Sequence, residues 1–200
     1  MIPKGWKVVK IDELGRFVNG GTPKTNNYEY WNGNINWCTP TEITALKGYK
    51  YIKNTNRKIT EEGLKNSGAQ LIPNNSLLVC TRATIGDCAI NIGEFTTNQG
   101  FKSIIPNLNT NTEFLYYLIC AIKPKLIMQS SGSTFLEISK TAFESIKIAL
   151  PPLPEQQQIA YILTSVDDKL ELLQNQKSEF ASLKKGLMEQ LLTGKVRVKV

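Results

Sequence analysis

Residues 150–163 read "LPPLPEQQQIAYIL". Pro151, Pro152 and Pro154 hold the backbone extended, and Pro154 suits a first helical turn, where its missing N–H costs nothing. Glu155 then puts negative charge where the helix dipole favours it. Beyond this point apolar residues recur at Ile159, Ile162, Val166, Leu170, Leu173, Phe180, Leu183, Leu187 and Leu191. Their spacings are 3, 4, 4, 3, 7, 3, 4 and 4, with Lys177 inside the long gap. That heptad-like stripe predicts one helix over 154–192, about 60 Å long, ended at Thr193-Gly194. An isolated helix gains little in water, and one so long cannot bury its whole stripe against a small domain. The alternative is an intramolecular core helix, but the sequence offers no second long helix to pair with it. The stripe therefore predicts a coiled coil with another chain, and the prolines predict a fixed joint ahead of that rod.

Upstream of the joint the character is different. Short runs rich in β-branched or aromatic residues predict strands at Trp6–Val9, Ile35–Thr39, Leu77–Thr81, Cys88–Ile92, Lys102–Ile105 and Ile146–Leu150. Thr60 caps a helix in "EEGLKN", Thr110 or Thr112 caps one in "EFLYYLICAI", and Thr141 opens a single turn in "TAFE". Gly/Asn/Pro-rich connections separate these elements. The fold class expected is α+β: an irregular mixed α/β domain at 1–150, then a long C-terminal α-helix within 151–200.

The formal net charge of +7 is unevenly distributed. Residues 1–150 hold 17 Lys+Arg against 11 Asp+Glu, and residues 151–200 hold 7 against 6. A basic front and a near-neutral tail suit a front that meets a polyanion and a tail that meets protein. The chain has no histidine. That excludes Ser-His-Asp and Cys-His catalysis and every His-containing zinc site. There is no G-x-x-x-x-G-K-[ST] loop and no G-x-G-x-x-G loop. Asp167-Asp168-Lys169 reads as a solvated helix face rather than a nuclease centre. The expectation is a chain with no catalytic residue, metal or cofactor. The four cysteines form no C-x-x-C pair, which suggests reduced thiols. No apolar run can span a bilayer, and "MIPKGWKVVK" lacks the core of a secretory signal, so the chain is expected in the cytoplasm.

Four polar loops carry the candidate site. "GGTPKT" (20–25) offers Thr22 and Lys24 to a phosphate. "CTRATIG" (80–86) offers Arg82, which can take a guanine edge or a phosphate bidentately, beside Thr84; the bland alternative is an arginine satisfying local carbonyls. "TNQGFK" (97–102) offers Asn98 and Gln99, whose amides can pair with adenine, then Lys102. "QSSGSTFLEISK" (129–140) offers Ser133 and Thr134 beside Gly132. Together, in a basic domain, they point to double-stranded DNA. The rival is a non-catalytic coiled-coil adaptor that binds protein partners through its basic face.

These residues resemble a known family. "GSTFLEISKTAFESIKIALPPLPEQQQIAYIL" is similar to the end of a target-recognition domain and the helical region that follows it in type I restriction-modification specificity subunits. "GWKVVKIDELGRFVNGGTPKT", "NINWCTPTEI", "LIPNNSLLVCTRATIGDCAI" and "NQGFKSIIP" resemble successive blocks of that domain. The resemblance implies a DNA-reading subunit that performs no chemistry. Its partners would be modification subunits, which bind S-adenosylmethionine and methylate adenine, and restriction subunits, which translocate and cut DNA. Typical members carry two recognition domains and two helical regions paired antiparallel. This sequence carries one of each, so the expectation is a half-length form whose second copy pairs with it through the stripe and which reads a palindrome with a fixed gap.

Overall fold

The mixed α/β front and the long C-terminal helix are both present in the computed structural model, which describes residues 2–132 and 136–199. Along the chain run β1 (Lys7–Lys10), β2 (Gly15–Asn19), β3 (Trp31–Cys38), α1 (Pro40–Ala45), β4 (Tyr51–Ile52), β5 (Lys58–Ile59) and α2 (Glu61–Lys65). Then come β6 (Leu77–Val79), β7 (Cys88–Asn91), β8 (Phe95–Thr97), β9 (Lys102–Pro106), α3 (Thr112–Met128), α4 (Lys140–Glu144), β10 (Lys147–Leu150) and α5 (Leu153–Leu192). The chain divides into two compact units, Met1–Ala160 and Tyr161–Val200, so α5 begins in the first and runs through the second.

The first unit is organised on a five-stranded sheet of order β2-β9-β6-β7-β4. Neighbours are antiparallel except β4 and β7, which run parallel. Strand β6 explains why "LLVC" is an unbroken apolar run: both faces of the sheet are covered. Leu77 and Val79 join one core with Ile90, Ile104, Leu115, Ile119 and Phe143, on the side of α3 and α4. Leu78 and Cys80 join a second core with Val18, Ile43, Ile72, Phe95 and Phe101. A three-stranded sheet, β5-β3-β8, carries a small third core of Trp31, Trp37, Ile59 and Ala69. The pair β1–β10 registers Lys7 against Leu150, which ties the start of the unit to the residue before the prolines.

All six expected strands are present, and β2, β4, β5 and β8 are additional. The Thr60 cap is as expected, its hydroxyl accepting from Gly63 N at 3.0 Å. Two caps need correction. Helix α3 is capped by Asn111, whose Oδ1 accepts from Phe114 N at 2.8 Å. The Thr110 and Thr112 hydroxyls instead donate to Asn107 Oδ1 and to the Asn75 carbonyl. Helix α4 is opened by Ser139 rather than Thr141, with Ser139 Oγ accepting from Ala142 N at 3.2 Å. Helix α3 also runs on through Pro124 to Met128, one and a half turns past the apolar segment that announced it.

The lead-in to α5 is held by more than its prolines. Gln156 is buried, its Oε1 accepting from Asn111 N and its Nε2 donating to the carbonyls of Asn109 and Pro151, each at 3.0 Å. Trp6 Nε1 donates to Glu155 Oε1 at 3.0 Å. In the second unit the helix continues to Leu192, and Gly194 takes the left-handed conformation expected at a C-terminal stop (φ 72°). The stripe residues from Ile162 to Leu191 are 42–69% exposed. Among the described residues no helix is long and apolar enough to cross a membrane.

Candidate nucleic-acid interface

Strand register brings the candidate loops to one place. Asn19, at the end of β2, pairs with Lys102, at the start of β9. Cys80, just past β6, bridges Phe101, just before β9. Val79 pairs with Cys88, so the 80–87 connection turns at this same end of the sheet. The loops starting at Gly20 and Cys80, and the one ending at Lys102, therefore share one end of the five-stranded sheet.

Contacts between the loops confirm the convergence. Gly21 N donates to the Thr97 carbonyl at 2.8 Å, and Thr22 Oγ1 donates to Gln99 Oε1 at 2.5 Å. Gly20 is required by this approach, since a Cβ there would stand 1.8 Å from the Asn98 carbonyl oxygen. Asn98 Oδ1 accepts from Gly100 N at 2.9 Å, which closes the turn before β9. Thr81 N donates to the Gly100 carbonyl at 2.8 Å. Further along, Ala83 N donates to the Leu136 carbonyl and Ile138 N to the Thr81 carbonyl, so residues 136–138 are zipped to the Arg82 turn.

Each candidate side chain has a definite setting. Lys24 is exposed and enters no ion pair among the described residues. Arg82 pairs through Nε with Glu137 Oε2 at 3.2 Å, both side chains about half exposed, so the pair adds little stability. It does orient the guanidinium fork, which has further N–H donors to offer. Lys102 Nζ donates to Asn19 Oδ1 at 2.8 Å; burial lowers its pKa, with Glu137 opposing. Gln99 is exposed and Asn98 half-buried. The Thr84 hydroxyl oxygen is buried, beside Cys80, and so is not presented at the surface. Ser133 and Thr134 lie outside the described residues. The Cys80 thiol, pushed up to about 12 chiefly by burial, is no nucleophile at neutral pH.

Two tryptophans that the loop-by-loop reading passed over hold the first loop from beneath. Trp37 Nε1 donates to the Gly21 carbonyl at 2.9 Å, and Trp31 Nε1 donates to the Lys24 carbonyl at 3.1 Å. Their rings meet edge to face at 5.0 Å, and the Arg57 guanidinium lies 3.7 Å from the Trp31 ring centroid. The signal was in "WNGNINW": two indoles on one short strand, once buried, each need an acceptor for the ring N–H. Trp37→Phe removes the donor together with part of a buried ring packed on Trp31. It should cost about 2–4 kcal/mol, from the stranded buried carbonyl and the gap left by the smaller ring together, and should make trypsin cut after Lys24 several times faster. Denaturant titration and timed proteolysis read both effects; an unchanged cleavage rate would show that the loop does not depend on this bond.

Comparison with known proteins gives one answer. Residues 3–180 match the family described as "Type I restriction modification DNA specificity domain". The chain is 38% identical over 193 residues to the type I restriction enzyme MjaIX specificity subunit of Methanocaldococcus jannaschii, covering 94% of this chain and 43% of that protein. It is 32% identical over 181 residues to the EcoR124I/EcoR124II specificity subunit of Escherichia coli, covering 87% of this chain and 42% of that one. The chain thus spans less than half the length of these relatives. In fold it is similar to the HsdS subunit from Thermoanaerobacter tengcongensis, with TM-score 0.68 and 19% identity over 95% of this chain and 45% of that one. A chain from a study of type I R-M complex assembly and conformational transition gives TM-score 0.72 and 20% identity, covering 95% of this chain and 46% of that one. With nearly its whole length matched, front domain and most of the helix alike, the chain belongs to the type I restriction-modification DNA specificity family.

Proposed function

We propose that this chain reads one half of a bipartite double-stranded DNA target and carries out no chemistry itself. The observation that carries the proposal is the gathering of Arg82, Asn98, Gln99 and Lys102 at one end of one sheet, with Lys24 further along the loop that leaves β2 there, on loops held by backbone and indole hydrogen bonds. In this reading Lys24 and Lys102 meet phosphates and Arg82 takes a phosphate or a guanine edge. Thr22, Asn98 and Gln99 supply base-edge or backbone contacts, and Ser133 and Thr134 join them from the fourth loop.

Residues 1–150 then form the reading domain, and 151–200 the region that meets protein. The stripe from Ile159 to Leu191 pairs with a second copy of the chain, setting two reading domains a fixed distance apart, so the target is a palindrome with an unread gap. Modification subunits dock on the same assembly and place their methyl group near the site that is read. Restriction subunits join where the system has them. Such an assembly works on the chromosome and belongs in the cytoplasm.

The test is selection from a random duplex pool by the full chain, alone and with its modification subunit. A split motif should be enriched, and binding should weaken steeply with salt as condensed counterions cease to be a source of entropy. Salt-insensitive binding without any enriched motif would instead support an adaptor that meets protein through its basic face.

A further inference from the structure

The end of the sheet that carries the candidate loops extends one strand further than those loops do. Strand β4 runs parallel to β7, with Tyr51 opposite Ile90, and Ile90 N donates to the Lys50 carbonyl at 2.8 Å. The turn Leu46–Lys50 ahead of β4 therefore lies at the same end as the loops after β2 and β6. Helix α1 leads into that turn. It starts beside the 98–100 turn, with Pro40 Cγ 3.5 Å from where a Gly100 Cβ would stand.

The turn has an unusual backbone. Lys47 and Gly48 are both left-handed, with φ of 51° and 94°. Among the described residues four non-glycines have positive φ: Asn32, Lys47, Asn75 and Ala83. Asparagine accepts this conformation readily; lysine and alanine do not. The two without that excuse, Lys47 and Ala83, both sit at this end of the sheet, and Ala83 is next to Arg82. Strain of this kind persists where surrounding structure enforces it. Here Tyr116 Oη donates to the Gly48 carbonyl at 3.3 Å from the core helix, and Lys50 is buried, its Nζ donating to Tyr117 Oη at 3.1 Å. The result is one lysine drawn inward and one pushed out: Lys47 is exposed and has no ion pair among the described residues.

Nearby carboxylates are already engaged. Glu42 accepts from Thr39 N and Asn56 N at 2.8 and 2.6 Å, Glu113 accepts from Tyr51 Oη, Asp87 pairs with Lys123, and Glu137 pairs with Arg82. The strand order then places Lys102 toward one edge, with Lys24 on the loop that leaves the edge strand β2, Arg82 after the central strand, and Lys47 ahead of the far edge strand β4. Five strands at about 4.8 Å spacing span roughly 19 Å, more than the roughly 12 Å width of a major groove.

We propose that Lys47 is a phosphate contact on the rim of the groove opposite the one held by Lys24 and Lys102, so that the sheet end straddles the groove with Arg82 between its walls. This rests on the DNA-reading proposal and adds a residue and a geometry to it. A rim lysine neutralises a phosphate whatever the base sequence, whereas a residue between the walls reads bases.

The experiment compares wild type, Lys47→Asn, Lys47→Arg, Lys24→Asn and Arg82→Ala in the full chain with its modification subunit, measuring duplex affinity from low to moderate salt and the selected motif. Lys47→Asn should lower affinity equally on all sequences, reduce the slope of log K against log salt by about 0.9 per bound reading domain, and leave the motif unchanged. Its melting temperature should not fall, because asparagine suits the left-handed backbone better than lysine does. Lys47→Arg should keep the wild-type slope, and Arg82→Ala should relax the motif. A wild-type slope in Lys47→Asn alongside a reduced one in Lys24→Asn would overturn the Lys47 assignment and leave the DNA reading standing. A motif change in Lys47→Asn at unchanged slope would also overturn it. Salt-insensitive wild type would remove both.

Discussion

Replacing Gln156 with leucine should lower the melting temperature of the first unit by roughly 6–12 °C. The side chain is 1% exposed and every one of its polar contacts is to backbone: Asn111 N, the Asn109 carbonyl and the Pro151 carbonyl. Leucine is close in volume and brings apolar area, so packing is nearly conserved. What is lost is the satisfaction of three backbone groups, one in a buried bond (Pro151) and two in part-buried ones (Asn111 and Asn109), each costing up to about 1–3 kcal/mol when stranded. Allowing for partial rescue by water, about 3 kcal/mol is lost, which for a unit of this size gives that shift. Gln156→Glu sharpens the test. It keeps the acceptor for Asn111 N but turns a carboxylate toward two carbonyls, so burial and repulsion raise its pKa in the folded state above the unfolded value near 4.3. A raised carboxyl costs stability above the unfolded pKa, and the deficit shrinks as pH falls through the folded value. The Glu variant should therefore recover toward wild type on acidification while the Leu variant does not. Melting of both within 2 °C of wild type at neutral pH would mean that the joint is fixed by its prolines alone.

Pro151, Pro152 and Pro154 announce a stiff segment, because proline acts on its own backbone and needs no partner. Gln156 announces nothing, because its importance depends on a turn at 109–111, far away in sequence, that also caps α3. The same distinction separates the caps that were legible from those that were not. Thr60 stands directly before the helix it caps, its hydroxyl donating to the Glu29 carbonyl while accepting from Gly63 N, whereas at 110–112 Asn111 lies between the two threonines and takes the cap. Strand β6 was legible from its apolar run. Strand β2, an edge strand with one buried residue, and the two-residue strands β4 and β5 were not.

The candidate interface divides along the same line. Composition nominated its loops one at a time, since glycine, proline, asparagine and an isolated arginine mark a loop without reference to anything distant. Their meeting at one end of a sheet depends on the order β2-β9-β6-β7-β4, in which sequence neighbours are seldom spatial neighbours. Direction within a loop was hidden too. Ala83 in the left-handed region turns the chain so that Arg82 is exposed and the Thr84 hydroxyl is buried, although the two stood as equals in "CTRATIG". Trp31 and Trp37 are core residues. That they also grip Gly21 and Lys24 follows from the indole N–H needing an acceptor once buried.

Leu183→Lys combined with Leu187→Lys should convert the chain from a dimer to a monomer at micromolar concentration. Both residues belong to the stripe, and with Phe180, Met188, Leu191 and Leu192 they form an apolar surface on the second unit. In a pair of helices each buried leucine contributes about 1.5–3 kcal/mol. Two copies lose four of them, at least about 6 kcal/mol, which weakens association by some four orders of magnitude. Lysine at such positions also sets like charges against each other across the seam. Ser182→Lys provides the control: at about 100° per residue it lies roughly opposite the stripe on the same helix, so it adds charge without touching the seam. Wild type and Ser182→Lys should sediment at twice the chain mass and the double variant at one. The double variant should also lose part of its helical circular dichroism, since a long helix in water has little to hold it without a partner. On DNA it should still prefer the half-site but tolerate any gap length, because two unlinked reading domains carry no information about their separation. A monomeric wild type would instead place the partner of this seam on a different chain, and a double variant that stays dimeric would place the contact elsewhere on the molecule.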